Sequence, residues 1–187
     1  MSNTANPKEI KALISFLDET DEQILETIQE KLFLMGRTVL PFLEDTAHAT
    51  LNETSNNRIR TLINRIRRKD VSDEFSAWLK EDSSDLLKAY IIISKLQYPD
   101  LDEEELTIEV EQMRMDAWLE LNDNLTALEN VKVLNHIFFQ VHHFEGNKEK
   151  ANVPEEQLLP AVLRSRKGNA LSLGILYLII AGKLKLP

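Results

Sequence analysis

From Ile10 onward, apolar residues recur at intervals of three and four along nearly the whole chain, and strict alternation is almost absent. That period matches the 3.6-residue turn of a helix, not the two-residue repeat of a strand. Only five glycines interrupt it: Gly36, Gly146, Gly168, Gly174 and Gly182. The chain therefore reads as all-α, an irregular multi-helix array ending in a buried apolar helix.

Cap and stop residues divide the pattern. A first helix is expected over 8–16, with Ile10, Leu13, Ile14 and Leu17 on one face. Asp21 opens a second, striped by Ile24, Leu25, Ile28, Leu32 and Met35, and Gly36 stops it. A third starts near Thr38 and carries Val39, Leu40, Phe42 and Leu43. The stretch 17–46, LDETDEQILETIQEKLFLMGRTVLPFLEDT, resembles one HEAT-like helical pair. No second copy follows at a fixed period, so no solenoid is expected. After a polar loop at 52–57, helices are expected over 57–69 and 72–80, and Asp82 and Ser83 lead into another over 84–97. Pro99 ends that one. Asp100 or Asp102 caps a long helix to about 121, with Leu106, Val110, Met113, Ala117 and Leu121 inward. Asp123 or Asn124 opens the next, to about 144, lined by Val131, Leu134, Phe138 and Val141. The loop 146–154 divides the chain into a helical region, 1–146, and a second part, 147–187. Pro160 suits the first turn of a short helix ending at Gly168. Asn169 then caps a nearly uncharged helix from Ala170 to about Lys183, and Leu184, Leu186 and Pro187 begin a further connection.

Charge and composition narrow the chemistry. The net charge of −9 opposes broad contact with phosphates or anionic membranes. With no cysteine, the chain has no disulfide, thiolate zinc site or thiol nucleophile. The start, MSNTANPKEI, lacks the apolar core of a signal peptide, and the longest uncharged run is too short for a membrane span. A cytoplasmic location is the expectation.

Four clusters invite a functional reading, and each has a plainer one. Arg58, Arg60, Arg65, Arg67, Arg68 and Lys69 could meet phosphate or RNA. Ile59, Leu62, Ile63 and Ile66 run between them, however, as on an amphipathic helix with cations outside. Asp100, Asp102, Glu104 and Glu111 occupy positions one, three, five and twelve of a calcium loop, but Glu105 stands where the turn needs glycine. These acids more simply face the positive end of a helix. His136, His142 and His143 lack the i, i+4 spacing that puts two ligands on one helix face. Ser172 lies in the first turn of the last helix, with no base placed beside it by sequence. No metal or cofactor is expected.

The segments FEGN (144–147), LPAVLRSRKGNALSLGILYLIIAGKLKLP (159–187) and SKLQYPDLD (94–102) resemble the SirB-type branch of the transglutaminase-like superfamily. The C-terminal third carries the specific part of the likeness. The resemblance implies a papain-like core, with a nucleophilic cysteine at the start of the central helix and a histidine and an acid on later strands. Ala170 occupies that nucleophile position here, and an alanine cannot attack a carbonyl. The histidine and acid would lie beyond Pro187. A piece of a longer protein is favoured over a shortened relative, because the apolar last helix would otherwise lack cover.

The expected function is thus non-catalytic, a protein-interaction or scaffold module with an unknown protein partner. Self-association through the exposed C-terminal helix is a further expectation, and membrane or nucleic-acid partners are not expected. Two alternatives stay open: an amide hydrolase or acyl transferase completed beyond residue 187, and weak nucleic-acid binding through residues 58–69.

Overall fold

The computed structural model describes residues 6–81 and 83–186. They fold into helices joined by short turns, with one two-stranded bridge of two residues per strand. Among the described residues no helix is long and apolar enough to cross a membrane. The chain separates into two compact units between Glu74 and Phe75.

The first unit holds α1 (Pro7–Ser15), α2 (Glu22–Leu34), α3 (Leu40–Ala49) and the greater part of α4 (Glu53–Glu81). Asn6 caps α1 through the Lys8 N–H at 3.0 Å, and Pro7 fills the first helical position, where no donor is needed. Asp21 caps α2 by accepting the N–H groups of Gln23 and Ile24 at 2.9 and 3.3 Å. Gly36, at φ 61°, takes the left-handed turn that ends α2. Ile10, Leu17, Leu32, Val39, Leu43, Ile59 and Ile66 make the core, each nearly free of solvent contact. Each such side chain contributes about 1.5–3 kcal/mol through burial. Ile24, expected on the inner stripe of α2, is instead 46% exposed.

The helices expected over 57–69 and 72–80 are one, α4. Asp70 and Asp73 look like stop and cap residues, but their carboxylates are engaged elsewhere. Arg37 Nε donates to Asp70 at 3.0 Å, and Lys69 donates to Asp73 one turn along at 2.6 Å. Neither competes for the backbone, so the helix continues.

The second unit contains α5 (Leu86–Ser94), α6 (Glu103–Glu120), α7 (Ala127–Asn135), α8 (Leu159–Ser165) and α9 (Ala170–Lys183), with β1 (Glu145–Gly146) and β2 (Lys167–Gly168). Asp82 and Pro187 lie outside the described residues. Asp85 caps α5 by accepting the Lys88 N–H at 3.0 Å. Thr126 and Glu129 close a reciprocal capping box on α7, so the helix opens there rather than at Asp123 or Asn124. It passes into a π-helical segment, His136–Val141. The wider turn shifts the phase of the residues after Asn135. Leu134 and Phe138 are buried, while Val131 and Val141, expected beside them, are 42% and 45% exposed.

One core unites the second unit, drawing Leu87, Val110, Met113, Phe138, Phe144, Leu159, Val162 and Leu176 together. Its members come from both sides of the 146–154 loop. α9 buries Leu176, Ile179 and Ile180 but leaves Leu171 and Leu178 71% and 59% exposed.

Candidate functional site

Two of the segments that carry the family resemblance lie side by side. β1 and β2 pair in parallel, Glu145 with Lys167 and Gly146 with Gly168. Glu145 N–H donates to Arg166 O at 2.9 Å, and Asn147 N–H donates to Gly168 O at 2.8 Å. Phe144, just before the bridge, is buried and stacks on Phe138 with centroids 4.5 Å apart. Arg166 takes the left-handed backbone at φ 57° that ends α8, and its guanidinium lies 5.1 Å from the Phe144 ring while pairing with Glu109 at 2.7 Å. Across the bridge Lys167 meets Glu145 at 2.7 Å, and this ammonium holds the Glu145 carboxyl below the usual carboxylate range.

The bridge delivers the chain to the N-terminus of α9. Asn169 is the cap, its Oδ1 accepting the Ser172 N–H at 2.9 Å. Its own backbone N–H donates to Gln157 Oε1 at 2.7 Å, and its Nδ2 donates to Ala151 O at 3.1 Å. The Ser172 hydroxyl can donate to Gln157 Oε1 at 3.1 Å or to Asn169 O at 3.2 Å. Gln157 Nε2 donates to Lys150 O at 2.8 Å. Tyr90, on α5, donates its hydroxyl to Gln157 O at 2.5 Å. Burial pushes the Tyr90 hydroxyl well above the usual phenol range, with Ser172 pulling it partly back. Beneath it, Ser94 Oγ donates to Tyr90 O at 2.7 Å and accepts the Leu159 N–H at 3.1 Å.

Gly168 is required by close approach. A Cβ there would fall on Ser172 Oγ and lie 3.1 Å from Leu173. The turn before α9 therefore packs directly on the first turn of the helix.

Chemically, this end of α9 is the positive end of a helix dipole. Ala170 is exposed and presents a methyl. Ser172 is 2% exposed, and its hydroxyl partners are the amide oxygens of Gln157 and Asn169 and the Tyr90 hydroxyl.

The other sequence candidates are dispersed. Asp102 caps α6 by accepting the N–H groups of Glu104 and Glu105 at 2.9 and 3.0 Å, so the helix begins where a calcium loop would still be turning. Glu111 pairs with Lys183 and Arg114, each at 2.6 Å, and these cations, Lys183 first, hold its carboxyl below the ordinary range. His142 Nε2 stands 2.9 Å from Asp116 Oδ2, while His136 and His143 are exposed. No three His, Asp or Glu among the described residues stand close enough to hold a metal ion. On α4, Arg58 donates to Leu17 O and Glu19 O, and Arg60 to Asn56. Arg65 pairs with Glu30 and lies over Phe33, and Arg67 pairs with Glu44 at 2.8 Å. Arg58, Arg65 and Arg67 thus reach from α4 to neighbouring segments of the first unit. Gln157 and Tyr90 carried no signal in the sequence; only the tertiary fold brings them to Ser172.

Residues 104–187 match the family model described as Transglutaminase-like superfamily, a little under half of the chain. The match spans both halves of the bridge and all of α9. No curated protein and no solved structure matches the chain.

Proposed function

We propose that this chain is a non-catalytic protein of the transglutaminase-like lineage, of SirB type, working as a protein-interaction or scaffold module. One observation carries the reading: the N-terminus of α9 offers Ala170 and a buried Ser172 whose hydroxyl meets two amide oxygens and the Tyr90 hydroxyl, with no histidine or carboxylate among these partners. The family match covers this helix. A nucleophile needs a reactive atom and a base to activate it; Ala170 supplies no such atom, and the partners of the Ser172 hydroxyl are amide oxygens and the Tyr90 phenol. The same helix displays Leu171 and Leu178 outward, a surface suited to self-association or to a partner. The likeness of the stretch 17–46 to one HEAT-like helical pair supports a scaffold role.

Turnover decides the catalytic question. Hydrolysis of p-nitrophenyl acetate and amine exchange on a glutamine amide are expected to match buffer alone. Turnover that disappears in Ser172→Ala would overturn the proposal.

A further inference from the structure

Between α5 and α6 the chain turns through Gln97, Tyr98, Pro99, Asp100 and Leu101. This turn, the start of α6 and Pro160 of α8 enclose a cleft of about 390 Å³. Its walls are apolar: Tyr98, Pro99, Leu101, Leu106 and Pro160. Its rim carries three carboxylates, Asp100, Asp102 and Glu105. Asp102 is engaged as the α6 cap. The neighbouring cation, Lys95, is drawn to Glu103 at 2.7 Å, and Glu103 does not line the cleft. Asp100 and Glu105 face no cation among the described residues.

We infer that this cleft receives an arginine or lysine side chain from an extended basic segment of a partner protein. The apolar walls suit the methylene stem of such a residue, which buries readily while its charged head stays near water. Asp100 and Glu105, which line the cleft, supply opposite charge for that head. An anion would be repelled by these exposed carboxylates. A metal ion lacks its ligand set, since no three acids converge. The net charge of −9 would also draw a basic segment toward the molecule. That the cation belongs to a protein rests on the interaction reading above.

The test is fluorescence anisotropy with a fluorescein-labelled peptide bearing two arginines among alanines and leucines. Its two-glutamate counterpart and spermidine serve as comparisons. The arginine peptide is expected to bind and the glutamate peptide not. The double variant Asp100→Asn, Glu105→Gln should weaken binding about tenfold, the loss of two partly exposed ion pairs. Added salt should weaken it further. Glu120→Gln, exposed on α6 outside the cleft, should change nothing. The inference is overturned by absent peptide binding, by equal loss in Glu120→Gln, by undiminished binding in the double variant, or by spermidine binding as tightly as the peptide. Any of these leaves the non-catalytic reading standing, because turnover alone decides that.

Discussion

The side-chain oxygen of Gln157 stands 2.7 Å from the backbone nitrogen of Asn169 and 3.1 Å from the hydroxyl of Ser172. One amide thus satisfies two donors at the start of α9, while its nitrogen holds Lys150 O. Gln157→Ala leaves those donors without their partner and should cost about 1–3 kcal/mol in denaturant unfolding. Gln157→Glu keeps the acceptor and should lose less. Amide exchange at Asn169 should quicken in the alanine variant alone, and unchanged exchange there would show that the contact is dispensable.

Gly168→Ala should destabilise by about 1–3 kcal/mol, the range for an overpacked site. The added methyl displaces Ser172 Oγ, which cannot rotate away without leaving Gln157. Ser172→Ala in the same chain should recover part of the loss, because the contact with Leu173 remains. A double-mutant cycle reads this directly, and strict additivity would show that the two residues do not meet.

Ala170→Cys places the chain's only thiol at the first position of α9. The helix N-terminus should lower its pKa below the ordinary value of about 8.5. Gly182→Cys, near the other end of the same helix and with open space around a Cβ, is the comparison. Iodoacetamide should label position 170 faster at pH 7 and with the more acidic midpoint. Equal profiles would mean the dipole has no hold there.

Tyr90 gives a pH dependence with a definite sign. Burial raises its folded pKa above the unfolded value of 10.0, so the neutral hydroxyl is favoured in the fold. Its contribution is fully present below that value and declines as pH climbs above it toward the folded pKa. Tyr90→Phe should cost about 0.5–1.5 kcal/mol at neutral pH through the lost hydrogen bond to Gln157 O. The variant should also show a shallower loss of stability above pH 10. Parallel alkaline limbs in the two proteins would refute the assignment.

Leu171 and Leu178 lie two turns apart and both face solvent. If α9 is a contact surface between copies, sedimentation of the wild type should show concentration-dependent dimers. Leu178→Arg should remain folded and monomeric. A wild type that is monomeric at every concentration ends the self-association reading.

Local chemistry explains what the sequence allowed to be read. Asp21, Asp102 and Asn169 declare their helices because a short polar side chain meets bare N–H groups wherever the chain turns into a helix. Gly36 declares a stop because its backbone is left-handed. The continuity of α4 was hidden because Asp70 and Asp73 have the composition of a break. What removes the break is Arg37, distant in sequence, and Lys69. The π segment was hidden because one shifted turn leaves no mark on residue type, yet it changes the phase by which Val141 faces outward. At the candidate site, Asn169, Ala170 and Ser172 were legible as the opening of a helix. Gln157 was not, since a glutamine amide has no meaning until the fold supplies its partners.

The parallel bridge also bears on what the chain can tolerate over time. By fastening Glu145–Gly146 to Lys167–Gly168, it turns everything between them into a closed excursion whose ends stay fixed whatever its length. Ring-closure entropy grows slowly, at about 0.6 kcal/mol for each doubling of a flexible loop. Lys148 and Glu149, both exposed, lie outside the Gln157 and Asn169 anchorage on Lys150 and Ala151. Extra residues inserted at that tip would leave α9 and its cap undisturbed, making it the point at which descendants of this chain could acquire new sequence at least cost.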